Sequence, residues 1–455
     1  MKYFKIHSLI RLLVITFPFV SIHAQKNNNK STPNVILIVA DDLAYGDLSY
    51  VNGGKTKTPH LDELARSGKW FENAYSASAV CAPARAALLT GKFPHETGCV
   101  TLNMTRYPEL TSIDTSMATI ADYYLANGYK TGLIGKWHNG NRPEHHPMNR
   151  GFTEFQGFLG FMVENYNSYQ LDINGEIKAF QSTYLTNELT NRAIDFVRRH
   201  RDNPFFLHLA HYAPHRPLGA PEKIVKYFLD KGYSRKQATI YAMIEVMDKG
   251  IGELVGELKS LGIIDNTLIL FTSDNGPDPL TGNRPNAGLK GTKYTINEGG
   301  IRIPFIAYWK GSIDPGIEKR LIHFTDVVPS LVEICDLQIA PTTFSGGSFA
   351  GLLNEQYTSK LPELRYWQWN RGAPNYSHNA TLRDGKWKLI RPFVTRNEPL
   401  KDSDASLELY DVENDPSEEN DLSSQNEKRV LIMNTKLEEW SRQVEFKRRL
   451  NQRNK

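Results

Sequence analysis

Asn34-Val35-Ile36-Leu37-Ile38-Val39-Ala40 is an apolar, mostly β-branched run without polar alternation. A strand with one solvent-exposed face alternates apolar and polar residues. A continuous apolar run therefore indicates a strand in a parallel sheet that is covered on both faces. Asp41 and Asp42 follow directly, at the carboxyl end of this strand. The stretch therefore predicts an α/β protein whose first buried strand begins near residue 34.

Four similar runs follow along the chain, at residues 130–134, 204–209, 267–272 and 303–308. Stretches with helical spacing separate them, at residues 59–66, 117–126, 186–200 and 236–261. Strands that alternate with helices are typical of a central sheet covered by helices on both faces. We expect an α/β fold with a mostly parallel or mixed central sheet sandwiched by helices, in a main domain spanning residues 33–340.

The pattern changes in the last hundred residues. Short strand-like pieces occur at 365–369, 381–383, 387–390 and 407–410, and residues 427–450 carry an apolar stripe on a charged helix. The stripe consists of Val430, Ile432, Met433, Leu437 and Trp440. An amphipathic helix of this kind packs its apolar side on a neighbouring element. We therefore predict a smaller C-terminal α+β subdomain, residues 361–455, with an antiparallel sheet and one helix.

Residues 1–24 have the layout of a secretory signal peptide. Lys2, Lys5 and Arg11 precede an apolar run at 12–20, and the stretch ends on Ala24. The run is too short to span a bilayer comfortably, and no later segment is long and apolar enough to do so. We expect cleavage after Ala24, a periplasmic or secreted protein, and no membrane span.

The charge balance excludes a strongly basic surface. The formal net charge is +4, and removing the three basic residues of 1–24 leaves +1. A global field this weak gives no reason to expect nucleic acid as a partner. An anionic ligand must therefore be bound by a local cluster of cations.

Polar side chains follow four of the predicted buried strands. They are Asp41-Asp42, Lys136 with His138, His211 with His215, and Asp274-Asn275. Open α/β sheets place their sites at the carboxyl ends of strands, so these side chains are expected to converge at one edge. Three carboxylates and an amide oxygen, from Asp41, Asp42, Asp274 and Asn275, suit Ca²⁺ or Mg²⁺ and not zinc. Taken singly, each of these residues is explained equally well as a cap or turn residue.

Cys81-Ala82-Pro83-Ala84-Arg85 and the Leu89-Thr90-Gly91 after it read as a nucleophile at the start of a helix, with an arginine one turn behind it. Free backbone N–H groups and the helix dipole favour negative charge at that point. The other two cysteines, Cys99 and Cys335, fit no zinc spacing and are expected to be small core residues.

The pattern from Ala79 to Gly91 resembles the maturation signature of the type I, formylglycine-dependent sulfatases, a family with an alkaline phosphatase-like fold. Residues 128–138 resemble the second signature of that family, and the resemblance extends over residues 34–422. Ala84 departs slightly, since many members carry serine there. The resemblance implies that a maturation enzyme oxidises Cys81 to Cα-formylglycine. It also implies one Ca²⁺ held by Asp41, Asp42, Asp274 and Asn275.

The resemblance further implies roles for the remaining polar residues. Arg85 and Lys136 would hold sulfate oxygens, and His138 would take a proton from a hydroxyl at position 81. His215, in Ala213-Pro214-His215, matches the acid that protonates the leaving alcohol, with His211 as its competitor. Lys293 matches the catalytic lysine of a Gly-Lys…Glu-Gly-Gly loop, and Lys290 stands where an arginine is common.

The Lys-Trp-His-Asn-Gly segment at 136–140 and the export signal resemble those of carbohydrate sulfatases from glycan-degrading bacteria. We therefore expect a sulfated sugar, of galactose type, as substrate. His211, Asn165 and Arg371 are candidate substrate contacts, with Trp367 and Trp369 as a candidate wall. Two alternatives stay open: a phosphodiesterase or phosphonate hydrolase of the same superfamily, and a non-catalytic glycan-binding protein on the same fold.

Overall fold

The computed structural model describes Met1 and residues 32–453, except residues 161, 283, 356–358 and 393–405. Apart from Met1, the predicted signal peptide lies outside the described residues. No helix in the described part of the chain is both long enough and apolar enough to cross a bilayer.

The strands of the described residues fall into three sheets. In chain order they are β1 Asn34–Ala40, β2 Lys69–Phe71, β3 Ala74–Tyr75, β4 Lys130–Lys136, β5 Glu154–Phe158, β6 Ser168–Ile173, β7 Glu176–Gln181, β8 Phe205–Ala210, β9 Thr267–Ser273, β10 Phe305–Tyr308, β11 Gly316–Glu318, β12 Ile322–His323, β13 Leu364–Gln368, β14 Ala380–Asp384, β15 Trp387–Arg391 and β16 Glu408–Asp411. Ten of them form one mixed sheet in the order β11-β2-β10-β9-β1-β8-β4-β5-β6-β7. Strands β3 and β12 pair separately, and β13 to β16 form a third sheet.

The centre of the large sheet is parallel, as the sequence predicted. Strand β1 pairs in parallel with β8 and β9, and β4 pairs in parallel with β8 and β5. Antiparallel strands flank this block: β10 beside β9, and β6 and β7 beyond β5. All seven residues of β1 are buried. The carboxyl ends of β9, β1, β8 and β4 consequently lie side by side at one edge.

The helices of the described residues are α1 Ser49–Asn52, α2 Pro59–Ser67, α3 Cys81–Thr90, α4 Pro94–Thr97, α5 Ile120–Ala126, α6 Leu185–His200, α7 Glu222–Leu229, α8 Arg235–Ser260, α9 Glu298–Ile301, α10 Val327–Ile334, α11 Ala350–Leu353 and α12 Glu427–Arg453. Helix α5 begins three residues later than predicted, because the Thr119 side chain accepts the Asp122 N–H and caps it. Helix α8 begins after Ser234, which caps it in the same way.

Side chains of β1 alternate between two apolar cores, one on each face of the sheet. Ile36 and Ile38 pack in a core with residues of α6 and α8. Val35 and Leu37 pack in the other core, with residues of α3, α5 and α10. Burial on both faces explains why the sequence of β1 shows no polar alternation.

The C-terminal sheet is an antiparallel meander in the order β13-β14-β15-β16. Helix α12 covers it with Met433, Leu437 and Trp440, all buried. Ile432, which the sequence placed in the apolar stripe, is 48% exposed, because its neighbour Met433 takes the buried position. The predicted domain boundaries at residues 340 and 361 stay a prediction.

Candidate active site

The four polar clusters predicted at strand ends meet at one edge of the large sheet. Asp274 follows β9, Asp41 follows β1, His211 follows β8, and Lys136 is the last residue of β4. In the sheet these strands are consecutive neighbours and parallel. Backbone bonds continue the pairing past the strands, since the N–H of Asp274 donates to the carbonyl of Ala40 at 3.1 Å. The side chains therefore share one buried site.

Cys81 reaches this site from helix α3, which it begins. All ten residues of α3 are buried. Four of them are alanines, whose small side chains allow close packing on every side of the helix. Arg85, one turn along, donates from Nε to Asp274 Oδ2 at 2.9 Å and from Nη1 to the Lys136 carbonyl at 3.3 Å. The helix is thus tied to two strand ends by the arginine of the predicted motif.

Cations surround the two aspartates and the cysteine. Lys136 Nζ lies 2.5 Å from Asp41 Oδ2, and Lys293 Nζ lies 2.6 Å from Asp42 Oδ1. Lys293 Nζ is also 3.0 Å from Cys81 Sγ. His215 Nε2 lies 3.6 Å from Asp42 Oδ2, whereas no contact joins His211 to either aspartate among the described residues. Six of the predicted residues therefore lie together: Asp41, Asp42, Cys81, Lys136, His215 and Lys293.

Burial and these charges set the protonation states. Burial raises the pKa of Asp41, but the positive charges of Lys136, His215 and Arg85 outweigh it and lower the pKa to about 2. Burial raises the pKa of the Cys81 thiol to about 12, despite Lys136 and Lys293 nearby. Asp41 is therefore ionised at neutral pH, while an unmodified Cys81 keeps its proton and is a weak nucleophile.

His138 belongs to the same charged environment. Its backbone is left-handed, with φ of 59°, and its Nε2 lies 2.9 Å from the Leu102 carbonyl oxygen. Burial, followed by the charges of Lys136, Arg85 and Lys293, lowers the pKa of His138 well below its ordinary value. A neutral imidazole suits a proton acceptor.

His211 is buried in a different way. Neither of its ring nitrogens has a hydrogen-bond partner among the described residues, and burial lowers the pKa of this side chain to about 4. Its predicted contact with substrate stays a prediction.

Three oxygens of the predicted metal ligands fit a hard cation. Asp41 Oδ1, Asp42 Oδ2 and Asn275 Oδ1 are buried and lack hydrogen-bond partners in the described part of the chain. Buried polar atoms normally have a hydrogen-bond partner. Three buried oxygens without one, at the same edge of the sheet, therefore indicate a binding partner such as a cation. Asp274 differs, because its Oδ1 accepts the Asp42 N–H and its Oδ2 accepts from Arg85. Asp41, Asp42, Cys81 and His215 also each bring one potential ligand atom within 4.8 Å of the others.

The remaining candidate substrate contacts lie outside this network. Asn165 is exposed, and its Oδ1 accepts the N–H groups of residues 167 and 168, so it stabilises a turn. Arg371 is half-buried, in the loop after β13. Of the tryptophan wall, Trp367 is a core residue: it is buried, and its Nε1 donates to the Ser76 carbonyl. The Trp367 indole, in β13, packs against Tyr75 and His323 of the main domain. Trp369 is also buried, beside Val80 and Tyr294, and its contact with substrate stays a prediction.

Two asparagines with structural contacts at the site escaped prediction as site residues. Asn139 is fully buried and donates from Nδ2 to the Ala82 carbonyl at 2.8 Å, so it joins the end of β4 to the start of α3. Its sequence signal was its place in the Lys-Trp-His-Asn-Gly segment at 136–140. Asn379 is also fully buried and bonds to the backbone of the loop that carries Lys293. Its only sequence signal was a glycosylation sequon.

The comparisons with known proteins agree with this geometry. The sulfatase family model matches residues 33–337. The chain belongs to the sulfatase family. A second model, described as "N-sulphoglucosamine sulphohydrolase, C-terminal", matches residues 292–444 of this sulfatase. The enzyme is therefore a sulfuric ester hydrolase, as the two sequence signatures predicted.

Named relatives cover most of the sulfatase. It is 30% identical to N-acetylgalactosamine-6-O-sulfatase of Bacteroides thetaiotaomicron, over 91% of this chain and 94% of the relative. It is 30% identical to N-acetylgalactosamine-6-sulfatase of Homo sapiens, over 86% and 81%. The crystal structure of Ps i-CgsB in complex with k-i-k-neocarrahexaose is similar, with a TM-score of 0.77, 30% identity and coverage of 90% and 93%. The predicted alkaline phosphatase-like fold, with its smaller C-terminal antiparallel sheet, is confirmed.

Proposed function

We propose that this sulfatase is exported, depends on Ca²⁺ and a formylglycine at position 81, and removes sulfate from a sulfated sugar of galactose type. One observation carries the proposal. Lys293 Nζ lies 3.0 Å from Cys81 Sγ and 2.6 Å from Asp42 Oδ1. The cysteine, a carboxylate and an ammonium group are therefore in contact inside the protein. Atom Sγ stands where an oxygen of the modified residue would be.

The protonated thiol of Cys81 explains why modification is needed. With its pKa raised to about 12 by burial, the thiol supplies almost no thiolate at neutral pH. Oxidised to formylglycine and hydrated, the residue would supply one hydroxyl for attack on sulfur and a second for release of sulfate. Modification at position 81 also implies a formylglycine-generating maturation enzyme as a partner.

The cationic side chains would bind the sulfate group. Arg85, Lys136 and Lys293 are each almost fully buried, and each contacts a carboxylate of the strand edge. Fixed positive charges in a site without bulk water stabilise the negative charge that develops on the sulfate oxygens. We assign these three residues to that task.

Proton transfer would be divided between two histidines and a lysine. His138, neutral because burial and the nearby cations lower its pKa, would accept the proton that must leave position 81. Burial lowers the pKa of Lys293, but Asp42 and Asp41 outweigh it and raise it well above its ordinary value, so the ammonium group is retained. Lys293 and His215 together would protonate the leaving alcohol.

The orphan oxygens of Asp41, Asp42 and Asn275 support a Ca²⁺ site, completed by Asp274. A bound Ca²⁺ would polarise a sulfate oxygen and neutralise part of the local negative charge. Oxygen ligands on neighbouring strand ends match the preference of this cation.

Support for a sugar substrate comes from the relatives. The bacterial and human relatives are named for 6-sulfated N-acetylgalactosamine, a galactose-type sugar, and the similar crystal structure contains an oligosaccharide. His211, Asn165 and Arg371 stay proposed contacts for the sugar. The signal-like residues 1–24 support a periplasmic or secreted location.

A desulfation screen tests the proposal. The purified enzyme is incubated with galactose and N-acetylgalactosamine monosulfates, glucose-type sulfates as matched controls, and a phosphodiester. We expect release of sulfate from the galactose-type sugars and a slower reaction or none with the glucose-type controls. Failure on every sulfated sugar, together with phosphodiester turnover, would support the phosphodiesterase alternative instead.

A further inference from the structure

The loop between Lys290 and Ile301 carries Lys293 but has few bonds to the main domain around that residue. The N–H groups of Lys293 and Tyr294 donate to the carbonyls of Pro277 and Ala79, both at 2.9 Å. A long side chain on a loop reaches a fixed point only if the backbone beneath it is held. Further bonds lie within the loop and, near its end, join it to residues 76, 276 and 286 of the main domain. Directly after Lys293, the backbone is held by the C-terminal subdomain.

Asn379, directly before β14, bonds to the loop immediately after Lys293. Its Oδ1 accepts the N–H of Ile296 at 3.1 Å, and its Nδ2 donates to the carbonyls of Tyr294 at 2.7 Å and Trp369 at 2.8 Å. The side chain is fully buried, and its backbone φ is 45°, a conformation that asparagine tolerates better than most residues. One amide group thus satisfies both a donor and an acceptor of the loop.

Both ends of the loop are also bound to the C-terminal sheet. At one end, Lys290 Nζ donates to the Tyr410 hydroxyl at 3.2 Å and to the Glu418 carbonyl at 3.1 Å. At the other end, Lys388 Nζ lies 2.9 Å from Glu298 Oε1 and 2.8 Å from Glu418 Oε1. Lys388, Glu298 and Glu418 are completely buried, so this network holds a fixed geometry.

We infer that Asn379 is a positioning residue for Lys293, and that the C-terminal sheet sets the rate of catalysis through this loop. The inference rests on the proposed function, in which Lys293 acts on the sulfate. The Asn379 side chain bonds to the backbone of residues 294 and 296. This segment directly follows Lys293, whose ammonium group contacts Cys81 and Asp42. It holds the ammonium group in place without touching substrate. A displacement of the loop by a fraction of an ångström would move Nζ away from both partners.

The test is a double-mutant cycle with Asn379→Gly and Lys293→Ala. Glycine accepts the positive φ of residue 379 and removes only the amide group. We expect Asn379→Gly to lower kcat about ten- to a hundred-fold. KM should change less than about threefold. In the Lys293→Ala background the same substitution should cause no further loss of kcat, because the group it positions is gone.

A second readout separates positioning from general damage. Loss of proton donation makes the rate depend more steeply on the leaving group, so Asn379→Gly should steepen the dependence of kcat on phenol pKa across a series of aryl sulfates. The matched control is Leu437→Ala, in the buried contact of α12 with the sheet and far along the chain from the loop. This control should lower Tm and leave both kcat and the leaving-group dependence unchanged.

Three results are decisive. The inference is overturned if Asn379→Gly behaves like Leu437→Ala, or if it lowers kcat equally with and without Lys293. If Lys293→Ala itself retains full kcat, the proposed function fails at that residue, which is a separate outcome. If Asn379→Gly does not fold, Lys290→Met replaces it, because Lys290 is exposed. Lys290→Met should lower kcat less than Asn379→Gly and should also steepen the dependence of kcat on phenol pKa. An unchanged dependence on phenol pKa would overturn the inference.

Discussion

Lys293 Nζ lies 3.0 Å from Cys81 Sγ, although 212 positions separate the two residues in the chain. The contact joins helix α3, which Cys81 begins, to a loop that is held by the C-terminal sheet. The cationic site is therefore assembled from three parts of the sequence: the strand ends of the large sheet, the start of α3, and this loop. The predictions below test these parts separately.

Removal of one orphan oxygen should weaken metal binding. Asn275 Oδ1 has no hydrogen-bond partner in the described residues, so Asn275→Ala should reduce the affinity for Ca²⁺. Ca²⁺ added to the chelator-treated enzyme at a hundred times its Kd should stabilise it by about 2.7 kcal/mol. The variant should show a smaller rise in Tm at the same concentration.

The matched control for this measurement is Asn286→Ala. Asn286 is buried in the next loop and accepts the Gly46 N–H, but it has no oxygen at the strand edge. Its rise in Tm with Ca²⁺ should equal that of the unaltered enzyme. An equal rise in Asn275→Ala would remove Asn275 from the ligand set.

Substitution of His215 should depend on the leaving group. His215 Nε2 lies 3.6 Å from Asp42 Oδ2, next to Cys81, so His215→Gln should lower kcat for a sugar sulfate about 10²- to 10⁴-fold. The loss should be much smaller for an aryl sulfate with an acidic phenol, because such a phenolate leaves without protonation. His211→Gln should give a loss that is similar for both substrates. The reverse pattern would make His211 the acid.

The free energy of unfolding should decrease as the pH is lowered, partly because of His95. Burial, opposed by the hydrogen bond to Gln368, lowers the pKa of His95 to about 4. Between pH 6.5 and about 4 the unfolded chain binds a proton at this residue that the folded protein does not, so folding weakens as pH falls. The free energy of unfolding should drop by up to about 1.4 kcal/mol per pH unit from this group alone.

His95→Gln should therefore flatten the dependence of Tm on pH in that interval, with no change in slope above pH 7. The exposed His60→Gln serves as the control and should retain the original slope. Identical slopes for all three proteins would show that His95 is not buried in the neutral form.

Sequence patterns predicted those features that depend on short segments. The unbroken apolar run of β1 predicted its burial on both faces of the sheet. The polar residues after β1, β4, β8 and β9 were expected at one edge, because parallel strands bring their carboxyl ends together. Helix ends were predicted less accurately: α5 begins at Ile120 and not at Met117, because Thr119 caps it. Motif resemblance was needed to select Lys293 from a glycine-rich loop.

The long-range contacts of single polar side chains could not be predicted. Asn379 directly precedes β14, and Lys388 lies in β15. Their partners in the loop at 290–298 become neighbours only after the C-terminal sheet packs on the main domain. Trp367 was predicted to face a sugar for the same reason, since an aromatic residue in a strand has the same sequence signal whether it is exposed or buried.

The most direct test of the account is mass spectrometry of the peptide that spans Cys81, taken from enzyme of measured specific activity. We predict an aldehyde at position 81 in the active protein, in a fraction that rises in proportion to sulfatase activity between preparations, and no activity in Cys81→Ala. A fully active enzyme whose residue 81 carries only an unmodified thiol would contradict the account.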